Sequence, residues 1–332
     1  MKHITILGGG AWGTSIAKLL ATNGHKVTLW CFEKEVVDSI NNTHVNSRYL
    51  AGISLPETIQ ATHDIGQAVA ESSLICEAIP VVFMRKVLAN VKPHITSNHR
   101  WLVLSKGIEQ ESLLLPTQII TDILGEQTQV AVLSGPSFAR DLAEQKITAV
   151  IIASSKKEYN DELQALFKNN FFRPYLSSDV IGVQVGGAFK NVMALGIGFL
   201  DGAGYADNSK AFVFTHGLQE MMQCAVVLGG KKESLCGLSG VGDLFLTAMG
   251  QSSRNLYLGT RLGQGIDINT IIAELGTTPE SANTIISIHQ LIQKYKLDLP
   301  ILEGIYHITR GDQTIVEFFT KLFERPIESD SF

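Results

Sequence analysis

The first thirty residues leave room for very few folds. A short apolar run, His3–Leu7, meets Gly8-Gly9-Gly10-Ala11-Trp12-Gly13, and a helical pattern over Trp12–Thr22 follows at once. A second apolar run, Lys26–Trp30, comes next. Strand, glycine turn, helix, strand is the order of a βαβ unit, the context in which G-x-G-x-x-G carries meaning. Geometry then dictates the chemistry. Gly8 permits the tight turn, Gly10 lets a pyrophosphate approach the backbone, and Gly13 lets helix and strand pack closely. The helix start offers N–H groups and partial positive charge to the anion. The competing reading is an ordinary glycine turn.

The second strand runs into Cys31-Phe32-Glu33. An acidic residue about 20 positions beyond the glycines bonds the ribose 2′-hydroxyl and so favours NAD over NADP. Glu33 stands slightly past that place. It reads equally as a solvated residue opening the next helix. Phe32 is placed to stack on adenine, and Lys34 to reach a phosphate.

Further buried-strand runs appear at Ser73–Ile79 (SLICEAI), Trp101–Ser105 (WLVLS), Gln129–Leu133 and Ile147–Ala153. Helical stretches such as Val82–Val91 and Leu113–Leu124 lie between them. This alternation predicts an α/β fold with a doubly wound, mostly parallel sheet. Near Ser178 the pattern changes to helix after helix: Ile181–Leu200, Lys210–Leu228, Asn255–Gln264, Ser281–Tyr295 and Pro300–Thr309. The first of these is apolar on nearly every face, which marks a buried helix. Its small residues, among them Gly186, Gly196 and Gly198, would let other backbones come close. The 332 residues suggest about two domains. The expectation is a dinucleotide-binding domain over 1–178 and an all-helical substrate domain over 179–332.

Composition excludes several classes. With 45% hydrophobic and 18% charged residues, a filled core is easy and disorder is not expected. A net charge of −5 gives no basic excess for nucleic acid. The apolar runs are broken by Gly, Lys or Asp short of membrane-span length. Ile4-Thr5-Ile6-Leu7 already reads as a strand, so no signal peptide is expected to precede the fold, and a cytoplasmic protein is the expectation. Cys31, Cys76, Cys224 and Cys236 form no CxxC pair and have no histidine cluster beside them, so neither a metal nor a disulfide framework is expected.

Four clusters have no obvious structural excuse. Ser105-Lys106-Gly107-Ile108-Glu109 and Ser134-Gly135-Pro136-Ser137-Phe138-Ala139 each follow a strand end, where open parallel sheets bind ligands. Gly186–Asn191 lies inside the buried helix. Gly240-Val241-Gly242-Asp243-Leu244 leads on to Ser253-Arg254-Asn255. Lys190 is the most informative residue. A lysine among apolar neighbours is costly unless it is paired or faces a polar cavity, and desolvation suits it to proton transfer near neutral pH. It could also snorkel to solvent. Asp243 sits in a glycine-rich turn, where Asp is common for local reasons. Ser253-Arg254-Asn255 precedes a helix, so it could hold a phosphate or simply provide an N-cap with a surface arginine.

Together these residues resemble the NAD(P)-dependent glycerol-3-phosphate dehydrogenase family. The resemblance runs nearly end to end. It includes Asn46-Ser47-Arg48-Tyr49-Leu50, Ser105–Glu109, Ser134–Ala139, Gly182–Leu195, Gly202–Lys210, Gly240–Thr247 and Ser253–Asn255. It implies a Rossmann domain followed by a helical domain, and interconversion of sn-glycerol 3-phosphate and dihydroxyacetone phosphate for phospholipid synthesis. It implies that Lys190 handles the proton of the reacting oxygen, that Lys106 contacts cofactor and substrate, and that Thr247 lies near the reacting carbons. Gly135, Ser137, Asp243, Ser253, Arg254 and Asn255 match substrate contacts. Ala11, Trp12, Ala139, Arg254, Thr278 and Glu280 match cofactor contacts. Bacterial members usually carry an arginine just after the second strand; Phe32-Glu33 stands there instead and resembles the NAD-using branch. The family's V-x-E-G segment is Thr278-Pro279-Glu280-Ser281, which has lost the glycine. A homodimer is expected from the apolar helical half. The rival readings are a hydroxy-acid or ketopantoate-type dehydrogenase of the same architecture, and a non-catalytic NAD-sensing protein. The phosphate loop opposes the first; the presence of both Lys190 and Asp243 opposes the second.

Overall fold

A computed structural model describes residues 1–70 and 72–326. The chain divides into two compact units. One comprises Met1–Lys106 with Leu115–Val183, the other Gly107–Leu114 with Gln184–Phe332.

The first unit is built on eight strands: β1 His3–Leu7, β2 Lys26–Trp30, β3 Ile59–Thr62, β4 Leu74–Glu77, β5 Arg100–Val103, β6 Gln129–Ser134, β7 Thr148–Ala153 and β8 Phe172–Ser177. Their order in the sheet is β3-β2-β1-β4-β5-β6-β7-β8. β1 to β6 are parallel, β7 runs antiparallel to β6, and β8 runs parallel to β7. The sheet is therefore mostly parallel, and its order reverses about β1, where β2 lies on one side and β4 on the other. That reversal is where open α/β sheets bind ligands. In register, Leu7 pairs with Trp30 and Glu77, and Glu77 with Val103. The loops after β1, β2, β4 and β5 thus leave from one edge.

Helices α1 Ala11–Thr22, α2 Lys34–Thr43, α3 Ile65–Ala70, α4 Val81–Val91, α5 Pro116–Leu124, α6 Ala139–Ala143 and α7 Lys157–Phe167 connect the strands. The core joins Ile4, Ile6, Ile16, Leu20 and Leu29 to Tyr159, Phe167 and Phe172. Strands β3 and β8 carry weak sequence signals for a physical reason. Each alternates buried and exposed residues, and β8 is an edge strand that tolerates Pro174.

The second unit is helical: α8 Val180–Gly202, α9 Asp207–Val227, α10 Asp243–Met249, α11 Arg254–Gly263, α12 Ile268–Leu275, α13 Glu280–Tyr295, α14 Pro300–Arg310 and α15 Ile315–Phe323. A single π-turn, Leu238–Gly242, leads into α10. Contrary to the expectation from broken apolar runs, α8 is long and apolar enough to cross a membrane. However, 89% of its apolar window is buried inside the protein. Its glycines serve contact: a Cβ on Gly186 would lie 2.3 Å from the Ser239 carbonyl oxygen, and one on Gly198 would lie 2.4 Å from that of Leu256. The helix therefore touches the π-turn and α11 backbone to backbone, and this draws the segments bearing Asp243 and Arg254 against it.

Candidate active site

In the first unit, Gly8 sits at φ +123°, and a Cβ there would lie 2.5 Å from the Ala78 carbonyl oxygen. A Cβ on Gly13 would lie 2.0 Å from the Gly8 carbonyl oxygen, so the helix–strand approach needs glycine. A Cβ on Gly10 would meet nothing within 4 Å, which leaves open space beside the glycine turn. Among the described residues no side chain caps α1, so its first N–H groups remain available to an anion. The indole nitrogen of Trp12 is buried and has no partner among the described residues. These features fit a dinucleotide.

Phe32 is 71% exposed, and its ring centroid lies 6.3 Å from that of His63. Glu33 is the N-cap residue of α2, yet its carboxylate does not cap the helix. Instead Tyr49 donates its hydroxyl to Glu33 Oε1 at 2.6 Å. Asn46, fully buried, donates from Nδ2 to the Gly9 carbonyl and to Thr14 Oγ1, both at 2.8 Å. Burial pushes the Cys31 thiol between these features up to about 12, with the Glu33 carboxylate adding to the shift. It is a packing residue rather than a nucleophile.

Lys106 follows β5 and donates from Nζ to the Gly135 carbonyl at 3.4 Å. Ser137 donates to the same carbonyl at 2.9 Å. Ala139 opens α6, and its carbonyl accepts from Ser15 Oγ at 2.7 Å, which fixes α6 against α1. Glu77 lies outside the four clusters picked out by the sequence. This carboxylate is fully buried at the end of β4, accepts from the Ile79 N–H at 2.7 Å, and accepts from the Ser105 hydroxyl next to Lys106. Its signal was visible, since it is the one charge in SLICEAI.

In the second unit the helix–turn contacts bring Lys190, Asp243 and Thr247 together. Lys190 Nζ donates to Asp243 Oδ1 at 2.8 Å and to Thr247 Oγ1 at 2.7 Å. Thr247 donates to the Asp243 carbonyl at 2.7 Å. All three are buried. Lys190 is thus paired rather than snorkelling, and Asp243 does more than shape its turn.

Ser253 is the N-cap of α11, its hydroxyl accepting from the Leu256 N–H at 3.2 Å. Arg254 donates to Thr277 Oγ1 at 2.8 Å. Asn255 donates to Asn191 Oδ1 at 3.0 Å and accepts from the Ser281 N–H at 3.1 Å, linking α8, α11 and α13. Capping and linking therefore occupy part of this cluster. Thr278 is exposed and Glu280 half-buried. Burial raises the Glu280 carboxyl to about 7, opposed by the Arg254 guanidinium. No group of three or more His, Cys, Asp or Glu among the described residues could hold a metal ion.

Sequence models describing the N-terminus and C-terminus of NAD-dependent glycerol-3-phosphate dehydrogenase match residues 3–160 and 179–320. The chain belongs to this family. A glycerol-3-phosphate dehydrogenase [NAD(P)+] of Bacillus pumilus is 40% identical over 310 residues, spanning 93% of this chain and 90% of that protein. The crystal structure of glycerol-3-phosphate dehydrogenase from Coxiella burnetii superposes with a TM-score of 0.93 at 34% identity, covering 98% of this chain and 99% of that one. A ketopantoate reductase family structure from Ralstonia eutropha JMP134 covers 93% and 98% of the two chains at TM-score 0.65 and 16% identity, so it shares the fold alone. The chain is an NAD(P)-dependent oxidoreductase with a Rossmann-type first unit.

Proposed function

We propose that the enzyme interconverts sn-glycerol 3-phosphate and dihydroxyacetone phosphate, with Lys190 as the group that moves the proton. The observation that carries this reading is the buried Lys190–Asp243–Thr247 cluster. A bound nicotinamide supplies or accepts the hydride at C2 of the substrate. Lys190 Nζ gives a proton to O2 on reduction of the ketone and takes it back on oxidation of the alcohol. Asp243 and Thr247 hold Nζ in place, and the Asp243 carboxylate balances its charge.

In the second unit, substrate phosphate is assigned to the Arg254 guanidinium and the N–H groups at the start of α11, with Ser253 and Asn255 as further substrate contacts; in the first unit, the family resemblance assigns substrate contacts to Gly135 and Ser137. Lys106 serves both cofactor and substrate. The dinucleotide role falls to the first unit through Gly8, Gly10, Ala11, Trp12, Gly13, Phe32, Glu33 and Ala139. The catalytic role falls to the second, where Thr278 and Glu280 add cofactor contacts. Glu33 directs the choice toward NAD. The same reading makes the protein a cytoplasmic homodimer that supplies glycerol 3-phosphate for phospholipid synthesis. The buried, unpaired thiols of Cys31, Cys76 and Cys224 support a reducing compartment. Exposed Val226, Phe245 and Met249 support self-association.

Steady-state oxidation of NADH and of NADPH with dihydroxyacetone phosphate at matched concentrations tests the reading. Rapid turnover with NADH and weaker turnover with NADPH is expected. Equal use of both would overturn the role of Glu33. No turnover with either would overturn the substrate and favour a hydroxy acid.

A further inference from the structure

Residues 46–50 tie the glycine loop to Glu33, the N-cap residue of α2 that follows the second strand. Asn46 anchors one end through the Gly9 carbonyl and Thr14 Oγ1. Its own Oδ1 accepts from the Tyr49 N–H at 3.1 Å, and its carbonyl accepts from the Leu50 N–H at 2.9 Å. Leu50 is buried, and the Tyr49 ring packs on the core. The Arg48 guanidinium lies 5.2 Å from the centre of that ring. Burial and then the Glu33 carboxylate push the Tyr49 phenol up, so near neutral pH it is the donor. The result is a rigid aromatic arm whose hydroxyl reaches Glu33 Oε1 at 2.6 Å.

We propose that Tyr49 is a positioning residue for coenzyme choice, holding the Glu33 carboxylate where the adenosine ribose 2′-position is read. This rests on the assignment of Glu33 to the ribose. A glutamate at a helix start rotates freely and can swing away from a second anion. One whose Oε1 is held by a short, charge-assisted hydrogen bond cannot, and it meets a 2′-phosphate with like charge at fixed range. Glu33 Oε2 has no partner among the described residues, so it remains for a ribose hydroxyl. Without the arm the carboxylate is mobile, and the exposed cations Lys34, its neighbour in sequence, and Arg48, beside the Tyr49 ring, can take up the 2′-phosphate. Tyr49 therefore acts through Glu33 and need not touch the coenzyme.

The test is equilibrium titration of the full-length enzyme with NADH and with NADPH, read by tryptophan fluorescence, alongside the thermal unfolding midpoint. Tyr49→Phe is expected to narrow the ratio of the NADPH and NADH dissociation constants about tenfold with the unfolding midpoint near wild type, as loss of one hydrogen bond to a charged group implies. Glu33→Asp, which draws the carboxylate back by one methylene with the phenol intact, is expected to narrow it similarly. Glu33→Ala should narrow it further, and adding Tyr49→Phe to Glu33→Ala should change nothing more. An unchanged ratio in Tyr49→Phe beside a shifted ratio in Glu33→Ala would overturn the role of Tyr49 alone, as would additivity of the two. An unchanged ratio in Glu33→Ala itself would overturn the ribose assignment of Glu33 beneath it.

Discussion

Lys190 donates a 2.8 Å hydrogen bond to Asp243 Oδ1 from a side chain only 9% exposed. A buried ammonium survives only when paired, and this one has a carboxylate and a hydroxyl fixed at Nζ. Replacing it separates chemistry from binding. Lys190→Ala is expected to lower kcat by about two to four decades while the NADH dissociation constant stays near wild type. Stopped-flow turnover with a parallel binding titration checks this. A variant with wild-type turnover would remove Lys190 from the mechanism.

Asp243→Asn keeps the shape but removes the carboxylate charge from the ammonium. Breaking a buried pair from one side costs about 3–5 kcal/mol. The variant should lose that order of unfolding free energy in urea and also fall in kcat by about two decades. Thr247→Val, which removes a neutral partner of Nζ and leaves the Asp243 carboxylate, should cost less in both. Equal losses for the two would mean that the cluster is held by packing rather than by charge.

Gly13→Ala tests the dinucleotide loop. Its added methyl would fall 2.0 Å from the Gly8 carbonyl oxygen, a backbone atom that cannot rotate away. Helix α1 must move off β1, and the anion site moves with it. Affinity for NADH and NADPH should fall together by at least tenfold, with no change in their ratio. A changed ratio would show that this glycine takes part in selecting the coenzyme.

Legibility in the sequence tracked how local each signal is. The β1–turn–α1 unit is specified by adjacent residues, so His3–Gly13 was readable at once. So was α8, because its apolarity on every face matches its burial. β3 and β8 were not, since half of each strand faces solvent and pairing supplies what composition does not. For Lys190 the sequence left two readings open. Only the approach of Gly186 to Ser239, which sets the turn of Asp243 against α8, decides between them. Tyr49 and Glu33 are 16 positions apart, and no periodicity links them. Glu77 lies among apolar neighbours, and a charge inside a buried strand is itself the clue.

Glu220 supplies a test of stability against pH. Its carboxyl is buried within α9 and accepts from the Ile301 and Leu302 N–H groups at 2.7 and 2.8 Å, capping α14 beside Pro300. Burial pushes it up to about 8, while the two backbone bonds pull the other way. The sign follows from that raised value. Between about 4.5 and about 8 the folded chain keeps a proton that the unfolded chain releases, so this group's contribution is complete below the window and is lost as pH rises through it. The slope inside the window approaches about 1.4 kcal/mol per pH unit and vanishes above it. Glu220→Gln removes the titration and should flatten this part of the profile, at the cost of one of the two acceptors. Urea unfolding at pH 5, 6.5 and 8 on both proteins measures the difference. An identical slope in the variant would show that Glu220 stays ionised in the fold, with the two N–H groups outweighing its burial.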